Sequence, residues 1–71
     1  MIDLEAEVRR FARFRYQSVF DHVYTTHARR PLPVVRQAIV DELRRVGMSP
    51  RRELIDTAAE FISTGGRFEL P

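Results

Sequence analysis

Ser18 and His22 stand four residues apart, a spacing that on a helix sets a hydroxyl beside an imidazole. Nucleophilic chemistry would also need an acid to orient the base and an oxyanion hole. The middle of a helix has no unpaired backbone amides to make that hole, so the pattern predicts a partly buried polar pair without catalytic use. His22 and His27, five apart, point about 140° away from each other and cannot share a metal on their own. His27 falls instead near the carbonyl end of the first helix, where an imidazole is favoured. The chain has no cysteine, which excludes thiolate-bound zinc and disulfides. Gly65-Gly66 follows a helix, whereas a phosphate cradle must precede one so that free amides point at the anion. Asp41, Glu42 and Glu53 gather near Arg44, Arg45, Arg51 and Arg52, which neutralise them. The expectation is a non-enzyme: no catalytic residue, no cofactor, no metal and no small-molecule substrate.

Recognition is the chemistry that remains, and arginine carries it. All twelve basic residues are arginine and none is lysine; ten acids leave a formal charge of +2. Arginine stays charged, forks onto carboxylates and phosphates, and stacks on aromatic rings. The first place to look is RRVGMSPRREL, Arg44 to Leu54, where two arginine pairs flank a glycine turn between two helical patterns. This resembles a DNA-reading helix-turn-helix at the turn, with Val46 and Met48 suitably apolar on either side of Gly47. The resemblance stops there, because positions that should be apolar carry Glu42, Glu53 and Asp56. The outward side of the third helix would present Glu53, Asp56 and Glu60 to a groove walled by phosphates. DNA contact through Arg44, Arg45, Arg51 and Arg52 is therefore the alternative reading.

The leading reading comes from the first helix. Five of the seven aromatics, Phe11, Phe14, Tyr16, Phe20 and Tyr24, lie within it. With Phe11 placed inward, Phe20 and Tyr24 project roughly opposite and Phe14 to one side, so one face cannot bury them all. Arginine among exposed aromatics is the composition of interface hot spots. The expected protein interface is Arg9, Arg10, Arg13, Phe14, Gln17, Phe20 and Tyr24, covered by a second copy or a larger protein. In the competing arrangement the tail RFEL, Arg67 to Leu70, wraps round and covers Phe20 or Tyr24.

The elements that position these residues are legible from periodicity. The sequence predicts an all-α, compact three-helix domain over residues 1–71, a long helix 1 followed by a helix 2–turn–helix 3 hairpin, with a short extended C-terminal tail. Helix 1 spans about 3–26, with Asp3 as cap and Glu5 and Glu7 at its positive end; Leu4, Val8, Phe11, Ala12, Val19 and Val23 form its inner face. RRPLP breaks the chain. Helix 2, about 33–46, begins at Pro33 and buries Val35, Ala38, Ile39, Leu43 and Val46 before Gly47 caps it. Helix 3, about 50–64, starts on Ser49 as cap and Pro50, buries Leu54, Ile55, Ala58, Ala59, Phe61 and Ile62, and stops at Gly65-Gly66. The tail runs over 65–71.

Seventy-one residues bury only ~60% of the surface their unfolded chain exposes, so such a core is marginal and association is a common remedy. No apolar run approaches the ~20 residues of a membrane span, and the acidic start MIDLEAE is unlike a signal peptide. The expectation is a cytoplasmic protein, of the kind that would suit a bacterial or phage regulator.

Overall fold

A run of residues free of proline and glycine, Leu4 to His27, forms the 24-residue helix α1. The computed structural model describes residues 4–70, with two further helices, α2 (Leu32–Arg45) and α3 (Arg52–Ser63). Asp3 as a cap, the side chain of Glu5 at the helix's positive end, and Pro71 of the tail lie outside the described residues. The chain leaves α1 through Arg29, which adopts a left-handed φ of 67° and donates its amide to the Ile62 carbonyl oxygen at 3.0 Å. Pro31 then sits at the cap position of α2 with φ −55° and ψ 144°, and Pro33 occupies its first turn, where a missing amide costs nothing.

Helix α2 ends as the glycine predicts. Gly47 has φ +75°, Met48 donates its amide to the Leu43 carbonyl at 2.8 Å, and Gly47 donates to Arg44 at 3.1 Å. Helix α3 starts later than its sequence signal. Arg51, with φ −110° and ψ 110°, holds the cap position and makes no side-chain cap bond. Ser49 is not the cap. Its carbonyl oxygen accepts the Tyr16 hydroxyl at 2.7 Å, so the Ser49–Pro50 step bridges to α1 before the helix begins. The tail beyond Gly65 has no regular secondary structure and lies against α1.

The core joins Val19, Phe20 and Val23 of α1 to Val35, Ile39 and Leu43 of α2 and Ile55, Ala58, Ala59 and Ile62 of α3. Among the described residues no buried side chain is polar or charged. Ala58 and Ala59 let α3 approach closely, and Phe61 stays half exposed rather than joining the buried side. The inner face of α1 is also rotated from its expected place. Phe20 is 1% exposed, whereas Leu4, Val8 and Phe11 are open to solvent. Ser18 and His22 are both exposed, not the partly buried pair their spacing suggested.

Length explains much of this. At ~1.5 Å per residue, α1 is about 36 Å long, against about 21 Å for α2 and 18 Å for α3. The molecule accordingly measures 46 × 21 × 20 Å. Arg15 donates to the Val46 carbonyl oxygen at 2.8 Å and Tyr16 reaches Ser49, which fixes the α2–α3 turn at that level of α1. The N-terminal half of α1 extends past it. No described helix is long and apolar enough to cross a membrane.

Candidate protein-binding surface

The projecting half of α1 carries four large apolar side chains in water: Leu4 at 74% exposure, Val8 at 67%, Phe11 at 65% and Phe14 at 70%. At ~100° per residue, Leu4, Val8 and Phe11 lie within about 60° of one another, and Phe14 sits about 60° beyond Phe11. The face that packs on α2 and α3, made by Tyr16, Val19, Phe20 and Val23, is centred about a quarter-turn away or more. The helix thus has two apolar stripes in different phases, and its own fold covers only one.

The expected interface residues separate along the same line. Phe14 remains exposed, with Arg10 and Arg13 beside it in sequence and also exposed. Arg10 reaches Glu7 at 3.6 Å, a solvated pair of little energetic consequence. Arg9 is exposed and engaged within its own chain. Phe20 does not belong to an outer surface; it is a core residue, stacked toward Tyr16 with ring centroids 6.3 Å apart. Tyr24 is half-buried against the core. Gln17 is used internally. Its amide nitrogen donates to the Phe68 carbonyl oxygen at 2.8 Å and to Asp21 Oδ1 at 2.9 Å, while its oxygen accepts the Leu70 amide at 2.8 Å.

The tail therefore covers Phe20 from outside, and ion pairing fixes its position. Arg67 forks onto Asp21, with two bonds of 3.0 Å, and reaches Glu69 at 3.0 Å. The Arg67 guanidinium, with a smaller contribution from the Gln17 amide, holds the Asp21 carboxyl below the usual carboxylate range against the opposing effect of burial. Glu42 is lowered likewise by its hydrogen bonds to Arg45.

The arginines around the turn do not form one surface. Arg45 is tied to Glu42, and Arg36 of α2 pairs with Asp56 of α3 at 2.6 Å. Arg51 and Arg52 line a different cleft from Arg45. They meet Arg13 of α1 around an open cleft of about 680 Å³ with an apolar floor of Leu54, Phe68 and Leu70 and with Glu53 on its rim. An adjoining cleft adds Arg9, Ala12 and Tyr16. Sequence spacing could not show this convergence, because Arg13 lies within α1 and Arg51 at the cap of α3. Among the described residues, no cluster of three or more His, Asp or Glu side chains has the arrangement of a metal site.

No protein-family model matches the chain, and neither a curated protein nor a solved structure matches it significantly.

Proposed function

We propose that the chain is a small non-enzymatic interaction module that binds protein through the projecting half of α1. The observation that carries this reading is the exposure of Leu4, Val8, Phe11 and Phe14 on a helix whose other half is well packed. Scattered apolar side chains on a surface need no explanation, but four on three successive turns form a patch of the kind that marks association sites. Arg10 and Arg13 beside Phe14 give it the arginine and aromatic content of interface anchors.

The test compares the wild-type chain with Val8→Asp/Phe11→Asp in chemical cross-linking and affinity capture, scoring contacts with itself as well as with other proteins. Both positions are exposed, so the variant should keep its helical circular dichroism. Loss of every cross-linked or captured protein is the expected result. A folded variant that retains all of them would reject the reading.

A DNA-associated role is the second reading, and one observation favours it: Arg51 and Arg52 stand exposed at the start of α3 with Arg13 nearby. Arg44, exposed at the end of α2, adds a separate positive charge near the turn, although Glu53 borders the cleft and Arg45 is already paired. Arg51→Ala/Arg52→Ala should then weaken retention of duplex DNA, steeply so as salt rises. Failure of the wild-type chain to retain any duplex at low salt would dispose of this role.

A further inference from the structure

If the projecting half of α1 is an interaction surface, its own charge pattern says what covers it. Over residues 3–15 the sequence DLEAEVRRFARFR has acids at positions 3, 5 and 7 and arginines at 9, 10, 13 and 15. The segment is therefore negative at one end and positive at the other. At ~100° per residue Glu7 and Arg15 flank the Leu4–Val8–Phe11 stripe and Arg10 stands beside Phe14, whereas Arg9 and Arg13 turn to the clefts beside α3. Leu4, Val8 and Phe11 are separated by four and then three residues, the alternation of a seam between two helices. Two copies packed in parallel would set acid beside acid and arginine beside arginine. Packed antiparallel, Glu7 of each lies at a level between Arg10 and Arg15 of the other.

We propose that two copies of this chain associate through an antiparallel α1–α1 contact with its twofold axis between Val8 and Phe11. In that register Val8 of each copy packs beside Phe11 of the other, and Leu4 of each lies at the level of the other's Phe14 and Arg15. Glu7, whose pairing with Arg10 in its own chain is long and solvated, gains a second set of arginines from the other copy. The contact is isologous: one patch serves both sides, as a twofold dimer requires. A partner of uniform charge would meet like charge at one end of the same segment. The projecting stretch is only about 16 Å long, so the contact falls near the small end of specific interfaces and the dimer dissociates on dilution.

The absence of cysteine from the sequence makes the geometry directly testable. Chains carrying Leu4→Cys and chains carrying Phe14→Cys, differently tagged, are mixed and oxidised with diamide, while the wild-type chain is sedimented over a concentration series. Both substitutions are at exposed positions and leave the core intact. The expected product is the mixed Leu4–Phe14 bridge in several-fold excess over either symmetric bridge, with a yield that falls several-fold in high salt. Dominant Leu4–Leu4 and Phe14–Phe14 bridges would overturn the antiparallel arrangement. A wild-type chain that stays monomeric at the highest concentrations that remain in solution would overturn self-association altogether. If it is monomeric while Val8→Asp/Phe11→Asp still loses capture of some other protein, this inference fails and the broader interaction reading survives; if the variant also retains every contact, both fail.

Discussion

The ring of Phe68 stands edge-on to that of Phe20, with centroids 5.5 Å apart. A residue near the end of the chain thus closes the outer side of a core residue in α1, and Phe61 of α3 leans on the same ring at 5.6 Å. The geometry is one that aromatic quadrupoles favour, and it places the tail within the packed structure.

Phe68→Ala should accordingly destabilise the fold. Full truncation of a buried phenylalanine costs ~3–5 kcal/mol, and Phe68 is half-buried, so about 2 kcal/mol is expected from urea unfolding. A change within error of zero would mean that the tail contributes no cover to Phe20.

Gln17→Ala tests the polar side of the same attachment. The Gln17 amide serves the Phe68 carbonyl and the Leu70 amide much as a neighbouring strand would. Removing it leaves both groups to water, and since the site is only partly buried the expected loss is about 1 kcal/mol. The sharper readout is local: hydrogen exchange at the Leu70 amide should accelerate more than exchange at core amides of α2. Unchanged protection at Leu70 would refute the contact.

Acid should loosen the tail for a separate reason. Asp21 has its folded pKa lowered, first by the Arg67 hydrogen bond, so the folded chain binds fewer protons at this site than the unfolded chain does. Its contribution is complete above the unfolded value, ~3.9, and is lost as pH falls through the lowered folded value. Thermal midpoints measured from neutral pH down into that acid range should fall further for the wild-type chain than for Asp21→Asn. Because Glu42 titrates in the same sense in both proteins, it cancels in the comparison. Parallel curves would show that the Arg67–Asp21 pair adds nothing.

The periodicity of α2 and α3 was readable because each has one apolar stripe and a clear stop. Gly47 and Gly65 both take the left-handed conformations that a terminating glycine implies. The phase of α1 was not readable for a physical reason. Leu4, Val8 and Phe11 form as regular a stripe as Tyr16, Val19, Phe20 and Val23, and nothing local says which stripe α2 and α3 cover. Grouping Leu4, Val8 and Phe11 with Val19 and Val23 as one face placed Phe11 inward and Phe20 outward, the reverse of their burial. The lengths of the helical patterns were the available signal, since a helix much longer than both partners must leave turns uncovered. The role of Gln17 had no such signal, because its tail partners lie more than fifty residues away in sequence.

Substitution of the two helix-ending glycines should separate backbone conformation from side-chain crowding. Gly47 has φ +75° and open space where a Cβ would stand, so Gly47→Ala incurs only the left-handed penalty of about 1 kcal/mol. Gly65 has φ +93°, and a Cβ there would lie 2.9 Å from Arg29 Nε and 3.2 Å from Arg29 Cγ. Gly65→Ala is therefore expected to cost about 2 kcal/mol, softened only as far as the arginine can swing aside. Arg29 is itself in the left-handed region with φ 67°, so Arg29→Gly removes both the obstructing side chain and a strained conformation. In a double-mutant cycle the penalty of Gly65→Ala should shrink toward that of Gly47→Ala once Arg29 is glycine. Strict additivity of the two changes, measured by urea unfolding, would show that the contact between the α1 and α3 termini is not what makes Gly65 the costlier position.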